Sequence, residues 1–286
     1  MSRSILVLGS SGQLGSELSS IATESMLFLK RDDLNLADLD KVKDYFKTHS
    51  FKTIINCAAY TAVDQAENEI SMAQIINEEL VKTLAQIAKD NNTSLIHIST
   101  DYVFDGQSCT PYKETDKTNP QGVYGFTKLA GENALLKINP KNSAIIRTSW
   151  VYSEFRNNFV KTMLKLGNER DELGVIFDQV GTPTYAKDLA KAILVVAKRL
   201  NNDGVEIYHY SNEGACSWYD FAKTIFDLTH IKCHVKPLET HEYPTPAKRP
   251  PYSILNKSKI KKDFNLEIPY WKDSLKLCIN KLKENI

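Results

Sequence analysis

The chain is short of cysteine, of net charge and of long apolar runs, and each shortage argues against a class of protein. Five cysteines among 286 residues, an odd number with no Cys-x-x-Cys pair, argue against a disulfide framework and for a reducing compartment. A formal net charge of +1 gives no global pull toward nucleic acid or an acidic membrane surface. No apolar stretch approaches the roughly 20 residues that a membrane helix needs. Ile5-Leu6-Val7-Leu8 is too short for the apolar region of a signal peptide and runs straight into a glycine loop. There is no internal repeat and no low-complexity tract. What is present is a 42% share of hydrophobic residues, enough for a sizeable core. These features lead us to expect a soluble cytoplasmic protein with no nucleic-acid or membrane partner.

Short apolar runs alternate with longer amphipathic segments. Ile5–Leu8, Leu27–Leu29, Thr53–Cys57, Leu95–Ser99 and Ala144–Arg147 read as buried parallel strands, rich in β-branched residues and Leu without polar alternation. Between them, Gln13–Ala22, Leu39–Thr48, Ser71–Asp90 and Tyr124–Lys137 carry helical patterns. This order predicts an α/β fold, a Rossmann-like doubly wound parallel sheet. After Trp150 the alternation weakens: a strand at Val175–Phe177, a helix at Ala186–Leu200, a strand at Ile207–Tyr210, a helix from about Ser217, a proline-rich loop from Pro237 to Pro251 and a helix around Lys272–Lys283. The expected division is a dinucleotide-binding domain over 1–150 plus about 174–200, and a smaller mixed α/β substrate-binding lobe over 151–173 and 201–286. The cleft between them is the expected ligand site. The basic run Lys257 to Lys262 reads as a solvated helix face.

Gly9-Ser10-Ser11-Gly12-Gln13-Leu14-Gly15 follows a strand pattern and opens a helix pattern, the context that a dinucleotide fingerprint requires. Gly9 would permit the tight turn, Gly12 the approach of backbone to pyrophosphate, and Gly15 close helix–strand packing. The helix N-terminus offers free N–H groups to the phosphates. The second strand ends in Lys30 and Arg31, cations suited to a 2′-phosphate, so NADP(H) is the first choice of cofactor. Asp32 and Asp33 follow closely and leave NAD(H) as the alternative.

Tyr124 and Lys128 stand four apart at the start of a helix pattern, hence on one face. A phenol titrates near pH ~10 and is a weak acid–base group at neutrality. A neighbouring ammonium is expected to bring it toward working pH, and the lysine can also hold ribose hydroxyls. Thr100, at the end of the fourth strand, is placed to hydrogen-bond a reacting oxygen. Tyr219-Asp220-Phe221-Ala222-Lys223 repeats the spacing, but it follows the capping-like Ser217 beyond the alternating region and reads as packing.

Gly9–Gly15, Asn56-Cys-Ala-Ala-Tyr-Thr-Ala-Val-Asp64, Ser99-Thr-Asp-Tyr-Val-Phe104, Tyr124-Gly-Phe-Thr-Lys-Leu-Ala-Gly-Glu132, Arg147-Thr-Ser-Trp150, Gly181-Thr-Pro-Thr184 and Arg249-Pro250 occur in one order. Over nearly its whole length the chain resembles the dTDP-4-dehydrorhamnose reductases, a branch of the extended short-chain dehydrogenases/reductases. The resemblance implies hydride delivery from NADPH, or NADH, to the C4 ketone of dTDP-4-dehydro-β-L-rhamnose, the last step of dTDP-L-rhamnose synthesis. Tyr124 would protonate the developing alkoxide, Lys128 would tune it and orient the ribose, and Thr100 would polarise the ketone. The fingerprint residues Gly9, Ser11, Gly12, Gln13, Leu14 and Gly15 would hold the cofactor with Lys30 and Arg31. Cys57, Ala58, Ala59 and Tyr60 would border it, and Asn35 and Leu36 would lie near the adenine. Asp101, Tyr102 and Trp150 would lie near the sugar and Arg249 near the diphosphate.

Two departures look tolerable: Asn35 where Asp is commoner and Cys57 where Ala is. Some relatives dimerise around magnesium. Glu17 fits one such ligand position, but Lys187 and Lys281 fill the others, so no metal and no metal-linked dimer is expected, leaving a monomer or weak homodimer. His230-Ile-Lys-Cys233-His234 lacks a second cluster and is not read as a zinc site. His97 reads as a hydrogen-bonded core residue, and Asp64 and Glu67 as caps or solvated charges. Three rivals remain: a dehydratase or epimerase of the superfamily, a reductase of another nucleotide-linked 4-keto-6-deoxysugar, and a non-catalytic relative such as a methionine adenosyltransferase regulatory subunit. Dehydratases place a Glu after the Thr-Asp pair; here Tyr102 follows.

Overall fold

A computed structural model describes residues 4–284. The first half alternates as β1 (Ile5–Leu8), α1 (Gln13–Ser20), β2 (Met26–Leu29), α2 (Leu39–Thr48), β3 (Thr53–Asn56), short helices α3 (Val63–Ala66) and α4 (Ile70–Gln74), α5 (Leu80–Asp90), β4 (Ser94–Thr100), α6 (Val123–Ile138) and β5 (Ser143–Thr148). Then come β6 (Val151–Tyr152), α7 (Phe159–Glu169), β7 (Glu172–Ile176), β8 (Val180–Gly181), β9 (Thr184–Tyr185) and α8 (Ala186–Arg199). The chain finishes with β10 (Val205–His209), β11 (Cys216–Ser217), α9 (Trp218–Thr229), β12 (His234–Leu238), α10 (Ser258–Phe264) and α11 (Trp271–Glu284).

Six parallel strands form the main sheet in the order β10-β5-β4-β3-β1-β2. Their side chains are apolar on both faces because both faces are covered. Leu14, Leu18, Leu189 and Ile193 pack one face with Val7, Ile55 and Ile146. Val42, Phe46, Leu80, Leu84 and Leu135 pack the other with Leu6, Ile54 and Ile145. The strand order reverses between β1 and β3, so a crevice opens outside their carboxyl ends, where Gly9 and Cys57 follow. A separate core of Tyr152, Phe221, Phe226, Trp271 and Leu275 holds the small lobe together. No helix among the described residues is long and apolar enough to cross a membrane.

The lobe boundary departs from the sequence-based expectation twice. β7, expected with the nucleotide-binding domain, pairs with β12 in the small lobe. β10, expected in the lobe, pairs with β5 at the edge of the main sheet. Strands this short carry no mark of which sheet they join. The expected helix 71–90 is broken by a π-helical turn, Ile75–Glu79, which turns Asn77 inward to bond both the N–H and the C=O of Tyr60. The basic run is also less solvated than expected. Lys257 is buried and pairs with Glu213, Lys261 pairs with the same carboxylate, and Lys259 pairs with Glu206.

Among the described residues, one ion pair lies wholly inside. Arg147 on β5 grips Glu132 on α6 with Nη2–Oε2 at 2.7 Å, both side chains being 3% exposed or less. Removing one partner of such a pair strands the other charge. Glu132→Gln is expected to lower unfolding free energy by about 3–5 kcal/mol in urea titration; a loss under about 1 kcal/mol would mean that the pair contributes no more than a surface contact.

Candidate active site

The crevice is a groove of two joined cavities. The first, about 460 Å³, is lined by Gly9, Ser11, Gly12, Lys30, Arg31, Asn35, Leu36 and the Cys57–Tyr60 turn. The second, about 800 Å³, shares Ser11, Gly12, Cys57 and Ala59 with it and adds Gln13, Leu14, Gly15, Thr100, Asp101, Tyr102, Tyr124, Lys128, Trp150 and Arg249. The residues assigned to the cofactor and the substrate thus line one groove, while Asp32 and Asp33, the alternative for NAD(H), are not among its lining residues.

The glycine loop has no room for side chains where two segments meet. Gly9 has φ +73°, and a Cβ there would lie 2.6 Å from the Ala58 nitrogen. A Cβ on Gly15 would lie 2.4 Å from the Gly9 carbonyl oxygen. At Gly12 the nearest atom is 3.4 Å away, so backbone there faces the groove. Gly12 caps α1 without a side chain, leaving the first N–H groups of the helix to an anion. This loop fits a dinucleotide pyrophosphate. Lys30 and Arg31 are exposed at the far end. The Asp33 carboxylate accepts from the Lys30 N–H at 2.8 Å, which ties Asp33 into the turn.

At the other end, α6 is set by its first turn. Glu67 accepts from the Val123 N–H at 2.9 Å, a carboxylate at a helix N-terminus. Gly125 lets the helix press on the turn after β4, since a Cβ there would meet the Tyr102 carbonyl oxygen at 2.3 Å. Tyr124 and Lys128 follow on one face. The Thr100 hydroxyl donates to Asp101 at 2.9 Å and accepts from the Tyr102 N–H at 3.2 Å. Asp101 is 2% exposed, and burial raises its carboxyl to about 6.

Lys128 was expected to draw the Tyr124 phenol down toward neutrality. The structure reverses this. Burial pushes Tyr124 up to about 12, a hydrogen bond with the Thr100 side chain offsets only part, and the Asp101 charge adds to the rise. Lys128 is instead turned to β4: Nζ donates to the Ile98 carbonyl oxygen at 2.6 Å and lies 3.2 Å from His97 Nε2. Burial lowers its ammonium to about 8, against the pull of Glu132.

Several lining residues escaped the sequence reading. Trp218 stacks on Trp150 at 3.5 Å between ring centroids, and Phe159 packs against Trp218 at 4.6 Å. Trp150 has φ +48°, unusual for a bulky residue. Arg156 donates to the Ser11 carbonyl oxygen and lines the groove. The signal for Trp218 was its position right after the Ser217 cap, which forms a full capping box with Asp220. Asp64, read as a cap or solvated charge, grips Arg249 with Nη2–Oδ2 at 2.7 Å. Glu17 is buried, accepts from Ser153 at 2.7 Å, and burial beside Glu154 raises it to about 8. No cluster of three metal-ligating side chains occurs among the described residues.

A glycine loop on a topological switch point, with a Tyr-x-x-x-Lys helix across the groove, defines a dinucleotide-binding reductase fold of the short-chain dehydrogenase/reductase type. The chain belongs to the family described as RmlD substrate binding domain, whose model matches residues 3–284. It is 42% identical to the dTDP-4-dehydrorhamnose reductase of Aggregatibacter actinomycetemcomitans, over 95% of this chain and 97% of that one. The crystal structure of a dTDP-4-dehydrorhamnose reductase from Clostridium acetobutylicum superposes with a TM-score of 0.93 at 42% identity, covering 98% of this chain and 99% of the other. That of the Bacillus anthracis reductase in complex with NADP also gives 0.93, at 36% identity, covering 98% and 100%.

Because burial raises the phenol, Tyr124 stays protonated through the neutral range. Ultraviolet difference titration of the protein against Tyr124→Phe should show no tyrosinate from this residue below pH ~11, in line with its raised value of about 12. A transition below pH ~9 would contradict the dominance of burial.

Proposed function

We propose that this protein is an NADP(H)-dependent reductase that converts the C4 ketone of dTDP-4-dehydro-β-L-rhamnose to the alcohol of dTDP-L-rhamnose. The observation that carries this reading is the convergence of the glycine loop with Thr100, Tyr124 and Lys128 in one groove. The bound nicotinamide supplies the hydride. Tyr124, held as a neutral phenol, is in the form needed to give a proton to the oxygen that gains charge. The Thr100 hydroxyl, turning its one proton from Asp101 to the substrate, orients that oxygen beside it. Lys128, on the same helix face, holds ribose hydroxyls. Arg249, its two Nη groups held by Asp64, lines the groove on the side where the diphosphate is expected, and the stacked Trp150 and Trp218 shape an aromatic wall for the sugar. Lys30 and Arg31 favour a 2′-phosphate.

All five cysteines are free, which supports a cytoplasmic location.

The test is spectrophotometric. Purified protein given dTDP-4-dehydrorhamnose made in situ should consume NADPH, and Tyr124→Phe should lower kcat about 10²–10⁴-fold with cofactor affinity nearly intact. Unchanged turnover in that variant would reject the role of the phenol. Arg31→Ala should weaken NADPH binding about tenfold and NADH binding much less, consistent with loss of one charge-assisted phosphate contact; equal losses would reject the 2′-phosphate contact.

A further inference from the structure

Beneath the groove, Lys128 meets a buried polar pair, Asn56 and His97, that the proposed reaction does not use. β3 and β4 pair in a register that sets Asn56 beside His97. Both are fully buried, and Lys128 is 1% exposed. The Ala58 N–H donates to Asn56 Oδ1 at 3.1 Å. That fixes which way the amide faces, so Asn56 Nδ2 is the atom 3.2 Å from His97 Nδ1. An amide N–H facing Nδ1 requires a lone pair there. Burial drives the imidazole toward its neutral form, so its one proton sits on Nε2. Nε2 in turn lies 3.2 Å from Lys128 Nζ. A lysine ammonium has no lone pair, so a donor would face a donor. The contact is satisfied when Lys128 is an amine, accepting from His97 and donating to the Ile98 carbonyl oxygen at 2.6 Å.

We infer that Asn56 and His97 are positioning residues for Lys128: by fixing the Nε2–H tautomer they aim a proton donor at Nζ and oppose charging of the lysine in the empty site. This rests on the reading of Lys128 as a functional group of the groove. The other groups facing Lys128 are the Cys57 thiol after β3, Tyr124 one turn earlier on α6, and Glu132 one turn later, itself paired with Arg147 on β5. Only Glu132 among them is an anion, and it favours the ammonium, so the opposition comes from burial and from the His97 donor. Charging Lys128 would need a tautomer change at His97, an amide flip at Asn56 and loss of the Ala58 hydrogen bond. Protonation of the lysine is thereby coupled to the Cys57–Tyr60 turn that borders the cofactor groove.

The test uses the full chain without cofactor. Imidazole nitrogen NMR of ¹⁵N-histidine protein, with His97 assigned from His97→Gln, should show a neutral Nε2–H ring at pH 9 that passes to the Nδ1–H tautomer as Lys128 gains its proton below about 8. The ¹³Cε signal of Lys128, assigned from Lys128→Met, should titrate near its lowered value of about 8. Asn56→Asp replaces the amide donor with an acceptor, which moves the His97 proton to Nδ1 and frees Nε2 to accept from the ammonium. The Lys128 midpoint should then rise by about one unit or more, a tenfold change in proton affinity. His97→Gln keeps the acceptor–donor polarity of the ring and should hold the midpoint near the original. An Nδ1–H ring or an imidazolium at pH 9 in the unmodified protein would overturn the inference, as would a ring that stays Nε2–H while Lys128 charges, or an unmoved midpoint in Asn56→Asp. Tyr124→Phe separates the two readings: full turnover in that variant sinks the reductase assignment and leaves these spectra untouched.

Discussion

Everything at this site depends on holding polar groups out of water at the carboxyl edge of a parallel sheet. A phenol and an amine are ordinary solvent-facing groups at a helix N-terminus. Here α6 is pressed onto the turn after β4 so closely that a single added carbon at Gly125 would collide with backbone, and Glu67, just after α3, caps its first turn. That pressure buries Lys128 and half-buries Tyr124. Desolvation moves both groups toward their neutral forms: the phenol keeps its proton, and the amine gives its proton up more readily. At neutral pH the phenol is therefore fully protonated, whereas the lysine becomes a neutral amine only above about 8.

The rest of the molecule secures that arrangement. The Glu132–Arg147 pair clamps α6 to β5 one turn below Lys128, and Asn77 fastens α6 through Thr127 to the turn that borders the cofactor groove. The small lobe supplies the opposite wall. Its contribution is aromatic, with Trp218 from α9 lying flat on Trp150, whose backbone is held in a left-handed conformation. The loop before Arg249 is tied across the cleft mouth by Asp64. The nucleotide end and the reacting end are two cavities joined through Ser11, Gly12, Cys57 and Ala59.

The main sheet was legible because buried parallel strands are written as runs of β-branched and aliphatic residues, and β1, β3, β4 and β5 lie within a residue or two of where those runs fall. The groove was legible because its parts follow strand ends in order. What stayed hidden depends on distance in space. Nothing local to Val175 or Val205 says which sheet will accept it. Nothing in the sequence around Asp64 announces a partner 185 residues away at Arg249. The Tyr124–Lys128 spacing told which face the pair shares, but the balance between charge attraction and desolvation could be judged only once Lys128 was seen turned to His97 and Ile98. The π turn within 71–90 left no mark in the hydrophobic pattern, since it exists to place one buried amide.

The central claim is that one groove brings a nicotinamide and the Tyr124 phenol to the same carbonyl carbon and oxygen. The most direct measurement follows a label. The protein is given NADPH deuterated at the transferable position together with dTDP-4-dehydrorhamnose in ordinary water, and the product is read by mass spectrometry and NMR. The account predicts one deuterium, on sugar C4, beside a hydroxyl whose proton comes from solvent by way of Tyr124. Product carrying no deuterium, or deuterium at another carbon, would contradict it.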